Sequence, residues 1–285
     1  MFQYLLIALL GVSTLSWASS NYYAGTEGLT GANLKAKLHS IIDGQDPLPY
    51  TSSGNDDWYD GEKIDVWEAL VYTDSACPAT QPDCGLVQLL YLDETRSIDQ
   101  ANRGASKNDS WDREHVWPKS RGFKKKSQDG YTDLHHLRPA DRNINGTHSN
   151  YGYDEGGDIV YDKLLDGSQR VSGAYLDKTA QSFEPTDRAK GQIARMIFYM
   201  ATRYEIGDGQ SPENMPDLVL ADKNQKQSGE PWIGDLCTLV KWNNEFEVTV
   251  FERTRNDRVE ELQGNRNPFI DHPEFVDAIW ASKCP

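Results

Sequence analysis

Trp111-Asp112-Arg113-Glu114-His115-Val116-Trp117-Pro118-Lys119-Ser120 is the stretch on which the reading of this chain turns. On an extended strand the adjacent Glu114 and His115 side chains point to opposite faces, so they serve one centre only if the backbone bends. Pro118, three residues on, ends regular pairing nearby. A neutral imidazole is the side chain best suited to take a proton near pH 7, and a carboxylate offers a hard oxygen to Mg2+ or Ca2+. Base and metal ligand would then be neighbours. As an isolated dipeptide, Glu114 would merely pair with Arg113 and His115 would fill a gap.

A second cluster shifts that balance. Tyr131-Thr132-Asp133-Leu134-His135-His136-Leu137-Arg138-Pro139 is followed by Asn143-Ile144-Asn145-Gly146-Thr147-His148-Ser149-Asn150. The two clusters together hold four of the chain's six histidines, several amides and few apolar residues that would explain them as core. Such a concentration marks a site.

Charge points to the same region. Residues 19–100 carry 14 acids and 4 bases, whereas residues 101–126 carry 3 acids and 8 bases. The whole chain has a formal charge of -15, which by itself argues against a nucleic-acid partner, because phosphate binding needs Lys and Arg. The basic island answers that objection locally. Lys119, Arg121, Lys124, Lys125 and Lys126 read as contacts to a phosphate backbone, against the alternative of a solvated basic loop. Trp111 and Trp117 read as packing beneath the site, in preference to stacking on bases.

The 285 residues, 38% hydrophobic and 26% charged, suffice for a packed core and exclude a disordered, collagen-like or polytopic membrane protein. Leu5-Leu6-Ile7-Ala8-Leu9-Leu10-Gly11-Val12 followed by Ser16-Trp17-Ala18 reads as a secretory signal peptide, residues 1–18, with an uncleaved anchor as the alternative. No Cys lies near the cut to carry a lipid, so no membrane attachment is expected after cleavage. Export gives the four cysteines a meaning as two disulfides. Cys77–Cys84 with Cys237–Cys284 is the simplest of three connectivities, and no CxxC pair offers a zinc site.

Leu34, Leu38, Ile41 and Ile42 predict a helix over Gly31 to Ile42, followed by a polar loop to about Asp57. Val66 to Tyr72 is apolar and ambiguous, while Leu86 to Leu92 reads as a strand. Thr186 can cap a long helix that begins with Asp187, with Ala189, Ile193, Ile197, Met200 and Tyr204 as its buried stripe. Val248, Phe251, Val259 and Leu262 predict another helix, and Pro273 to Trp280 a last one. Without repeats or low-complexity linkers, one α+β domain with long loops over residues 19–285 is the economical reading.

The motifs resemble those of the bacterial endonuclease I family of secreted or periplasmic nucleases, whose core is a ββα-metal (His-Me) finger. The resemblance rests on Arg113 to Pro118, Asp133 to Pro139, Ile144-Asn145-Gly146 with Ser149-Asn150, Asp187-Arg188-Ala189-Lys190-Gly191, and Gln263-Gly264-Asn265-Arg266-Asn267-Pro268-Phe269. That order makes it specific. It implies an α+β single domain in which helices and long loops surround the finger. It also implies that His115 is the general base, and that Glu114 and Asn145 are the protein ligands of one Mg2+, with Ca2+ or Mn2+ as substitutes.

His136 stands where many relatives have Asn, and His148 where the family has Arg before Ser-Asn; with Arg113 they are expected beside the ligands or on phosphate. Arg121 and Lys124 to Lys126 are candidates for steadying the transition state. The implied activity is metal-dependent hydrolysis of DNA and RNA by a secreted or periplasmic monomer, with little sequence specificity. His115 activates a water for in-line attack, the metal offsets charge on the leaving 3′ oxygen, and the products carry 5′-phosphates.

Three rivals stand beside this reading. A secreted zinc protease lacks an HExxH motif. A non-catalytic nucleic-acid-binding module leaves Glu114, His115 and Asn145 without a task. A phosphodiesterase for small nucleotides shares the chemistry.

Overall fold

The computed structural model describes residues 22–51, 64–78, 81, 84–104, 107, 109–205, 215–222 and 229–285; the expected signal segment 1–18 lies outside them, as does part of the loop to Asp57. Among the described residues no helix is long and apolar enough to cross a membrane. Helix α1 spans Gly31–Ile42, as its apolar spacing predicts, and buries Leu34, Leu38 and Ile42. The ambiguous run forms helix α2 (Val66–Thr73). A reciprocal cap decides it: Asp65 accepts from the Trp67 and Glu68 amides, and Glu68 accepts from the Asp65 amide.

The run Leu86 to Leu92 is strand only over β1 (Leu86–Gln88), which pairs antiparallel with β2 (Thr95–Ser97). Past Gln88 the chain leaves this ladder for other partners. The carbonyls of Leu89, Leu90 and Leu92 accept from the Arg188 guanidinium, and the Leu90 amide donates to Pro139.

Strand β3 (Trp111–His115) pairs antiparallel with β4 (Leu137–Asp141), setting Glu114 opposite Arg138 and His115 opposite Leu137. β4 runs directly into helix α3 (Arg142–His148), where Asp141 caps the Asn143 and Ile144 amides. Among the described residues this sheet has two strands, and the far edge of β3 makes one bridge, from Ala101 to Trp111.

A second sheet follows, made of β5 (Gly152–Tyr153), β6 (Asp158–Lys163), β7 (Gln169–Asp177) and β8 (Ser182–Glu184) in the order β5-β8-β7-β6. Helix α4 (Asp187–Arg203) buries its predicted stripe together with every other residue from Ala189 to Arg203, so it is a central helix enclosed on all sides. Thr186 occupies the N-cap, but its hydroxyl makes no capping bond. Asp187 instead pairs with Lys190 at 2.7 Å. A Cβ on Gly191 would lie 2.7 Å from the Phe246 carbonyl oxygen, so glycine permits the close approach of α4 to that segment.

The short parallel pair β9 (Val219–Leu220) and β10 (Trp232–Ile233) leads to α5 (Leu236–Glu245), α6 (Val250–Gln263), α7 (Pro268–Asp271) and α8 (Glu274–Trp280). Val248 precedes α6, and a Thr249–Glu252 capping box starts that helix two residues later. Both expected disulfides, Cys77–Cys84 and Cys237–Cys284, are formed. Helices and strands are thus mixed, with the main apolar core around α4, consistent with the expected α+β class.

Candidate active site

Glu114 and His115 line one cleft of about 550 Å³, together with Tyr50, Arg113, Lys119 and Asn145. The expected backbone bend is not needed. β3 stays paired through both residues, and both nonetheless line the same cleft.

His115 Nε2–H donates to the Tyr131 carbonyl at 2.9 Å. A carbonyl only accepts, so this bond places the proton on Nε2 and leaves Nδ1 with its lone pair. Tyr50 stacks on the ring at a centroid distance of 5.8 Å, and Tyr131 meets it edge-on at 4.9 Å. Burial, with smaller contributions from His136 and Lys119, pushes the His115 pKa well below the usual range. The imidazole is therefore neutral at pH 7, as a base must be.

Glu114 is held from the other side. Its Oε1 accepts from the Tyr91 hydroxyl at 2.7 Å and from His148 Nδ1–H at 2.8 Å. Tyr91 in turn meets the Tyr153 hydroxyl at 2.8 Å, and Tyr153 donates to the Val116 carbonyl. One carboxylate oxygen is thus fixed by donors, an arrangement of the kind that orients a carboxylate able to hold a cation. α3 brings Asn145 to the same cleft, so a Glu and an Asn, both with hard-oxygen side chains, line one space. Among the described residues no group of three or more His, Cys, Asp or Glu could hold a metal. Two hard oxygens with room for water suit Mg2+, which dehydrates reluctantly.

The remaining expected residues divide. Arg113 lies 3.5 Å over the Tyr50 ring and 4.1 Å over the Trp67 ring, and it donates to the Tyr50 carbonyl, not to Glu114. Lys119 lines the cleft and donates to the Tyr131 hydroxyl at 3.2 Å. Lys124, Lys125 and Lys126 are exposed, and Lys126 Nζ sits 5.3 Å over Tyr50.

Arg121 is a correction. It is 1% exposed, and its guanidinium donates to the Asn150 and Trp232 carbonyls, so it braces backbone and does not face a phosphate. His148 is likewise fully buried behind Glu114, which removes it from phosphate contact. His136 packs behind His115 at 5.5 Å and donates to the Gly130 carbonyl. Trp111 and Trp117 are fully buried, as packing residues should be.

Sequence reasoning missed Tyr50, Tyr91 and Asp112. Tyr91 was hidden inside an apolar run. Asp112 carried a usable signal, since it sits two residues before Glu114 and so shares its face of β3. Its carboxylate accepts from Asn102 at 2.8 Å and lines the cleft.

The family model described as Endonuclease I matches residues 30–274. The chain belongs to the endonuclease I family. It is 42% identical over 270 residues to a protein named extracellular ribonuclease from Bacillus amyloliquefaciens, covering 94% of this chain and 81% of that one. A protein of the same name from Bacillus subtilis is also 42% identical, over 263 residues, covering 92% of this chain and 79% of that one. A periplasmic deoxyribonuclease from Aeromonas hydrophila is 30% identical over 145 residues, covering 49% of this chain and 47% of that one.

In this endonuclease I chain, several of the motifs on which the resemblance rests are framework. Buried Asp133 accepts from the His135 amide and Gln263 on Oδ1, and from Tyr199 and Tyr204 on Oδ2. Gln263 also accepts from the Leu134 amide, Asn265 donates to the Ile42 carbonyl, and Asn267 donates to the Arg195 carbonyl. Arg138 and Arg255 converge on buried Asp74. These bonds tie the loop entering β4 to α1, α4 and α6, and so fix the strand that pairs with Glu114 and His115.

Proposed function

We propose that this chain is an exported, Mg2+-dependent endonuclease that hydrolyses RNA and DNA with little sequence specificity and leaves 5′-phosphates. One observation carries the reading: His115, whose Nε2 faces the Tyr131 carbonyl, shares a cleft with Glu114 and Asn145. Mg2+ held by Glu114 and Asn145 would supply positive charge to the scissile phosphate and the departing 3′ oxygen. His115 Nδ1 takes the proton of a water that attacks phosphorus in line. The Tyr131 carbonyl and the Tyr50 ring keep the imidazole in that orientation. Arg113 and Lys119 place cationic charge on the cleft wall, where it offsets charge gathering on the phosphate oxygens.

The attacking group is water and not a 2′-hydroxyl, so the chemistry accepts both sugars. The ribonuclease-named relatives match nearly the whole chain, which supports RNA as a substrate; the shorter deoxyribonuclease match supports DNA. Export through a signal peptide at residues 1–18 is supported by the two disulfides and by relatives named extracellular or periplasmic.

The test incubates the mature protein with RNA and plasmid DNA, with and without EDTA, beside His115→Ala. Cleavage should vanish with EDTA, and the variant should lose about 10²- to 10⁴-fold in rate while still binding nucleic acid. Near-normal turnover by His115→Ala would remove the base from this mechanism.

A further inference from the structure

The hairpin formed by β6 and β7 carries an apolar face that neither the core nor the catalytic residues use. Cross-strand pairing sets Tyr161 beside Val171 and Ile159 beside Tyr175. All four are exposed: Tyr161 by 51%, Val171 by 59%, Ile159 by 47% and Tyr175 by 36%. The alternating residues Val160, Asp162, Ser172 and Ala174 are buried. Five of the nine large hydrophobic side chains exposed among the described residues fall on this hairpin, counting Leu165 at its turn. Single exposed apolar residues are ordinary, but a contiguous face of them marks a contact surface.

That face runs into the catalytic site. A neighbouring cleft of about 430 Å³ is lined by Arg142, Asn143, Tyr161 and Lys163, and it shares Asp112 and Asn145 with the catalytic cleft. A polymer whose phosphate lies at His115 and Asn145 therefore has a path past α3, along Arg142 and Lys163, onto Tyr161, with Tyr175 on the same hairpin face one cross-strand pair further along. Cations followed by open aromatic rings suit an unpaired strand, because every base offers a π-face whatever its identity. A duplex keeps those faces stacked on one another and cannot use the rings.

We propose that Tyr161 and Tyr175 form a stacking platform for the bases of a single-stranded nucleic acid, with Arg142 and Lys163 meeting its phosphates. The proposal rests on the nuclease reading for the position of the scissile phosphate, and it adds a surface that distinguishes unpaired from paired strands.

Fluorescence anisotropy tests it in the His115→Ala background, with a single strand of about 12 nucleotides and the matching duplex. Adding Tyr161→Ala and Tyr175→Ala should weaken single-strand binding by about tenfold per ring. Duplex binding should change far less, and the double Phe replacement should restore single-strand affinity. Equal losses on both probes, or no loss on the single strand, would overturn the platform. So would sedimentation showing a wild-type dimer that Tyr161→Ala dissociates, because the face would then belong to a second copy. If the wild type with Mg2+ cuts nothing, the nuclease reading fails instead, and the anisotropy comparison still reports on the rings.

Discussion

Glu114 and His115 are adjacent in sequence but are held by different neighbours, the first by Tyr91 and His148, the second by Tyr50 and Tyr131. Removing the Tyr91 hydroxyl takes a donor from Glu114 Oε1 while leaving the ring in place. Tyr91→Phe should therefore raise the Mg2+ concentration needed for half-maximal activity by about 10- to 100-fold, with cleavage at saturating metal less affected. An unchanged Mg2+ titration would remove Tyr91 from any role in orienting the ligand. At this scale the reactive pair was legible because a second cluster of histidines and amides follows it; alone, Glu114-His115 would have read as structural. Its supports were not: a tyrosine in an apolar run looks like core until its hydroxyl is seen to find a partner. Arg121 was misread for the opposite reason, since a run of bases reads as surface although one guanidinium turns inward to carbonyls.

Among the elements, α1 and α4 were legible because an apolar stripe at helical spacing has one economical burial. The seven-residue apolar run after Gly85 was legible only in part, because side-chain pattern cannot show that Arg188 will take its carbonyls. α6 was legible as a helix, but its packing was not, for a related reason. Its buried face carries Glu252, Arg255, Asn256 and Gln263 beside Val259, so its packing is hydrogen bonding that no hydrophobic period reveals. Gln263 tests that view, because it accepts from the Leu134 amide and donates to Asp133. Gln263→Ala leaves both buried groups short of a partner and should destabilise the fold by about 2–4 kcal/mol. Denaturant titration would measure the loss, and activity per folded molecule at low temperature should stay near that of the unaltered protein. Intact stability with lost turnover would instead place Gln263 in the chemistry.

Two predictions concern the whole molecule. His135 and His136 are buried neutral, and burial lowers both pKa values from 6.5 to about 4. The unfolded chain binds their protons first as acid is added. Stability from this source is thus complete above about pH 6.5 and is lost as pH falls toward about 4, by about 3 kcal/mol for each ring. That is a large share of a typical domain's stability. The melting temperature should be level from pH 8 to about 6.5 and fall steadily below it. A level profile down to pH 4 would mean that these imidazoles are not kept neutral by the fold.

Net charge sets the second. A chain at -15 repels phosphate at long range, so association depends on the exposed bases of the island and weakens as salt screens them. Position now ranks those bases. Lys119 lines the catalytic cleft and Lys126 stands over Tyr50 at its rim, whereas Lys124 and Lys125 do not line the cleft. Each lysine that meets a phosphate on a single strand contributes about 0.7 to the slope of log affinity against log salt. Lys119→Ala with Lys126→Ala should therefore flatten that slope by roughly 1.4, and Lys124→Ala with Lys125→Ala by much less. Binding of one oligonucleotide at several salt concentrations separates the two pairs. Equal flattening would mean that the lysine run acts only as a diffuse positive field, whereas the ranked result places the phosphate path across Tyr50 and over β3.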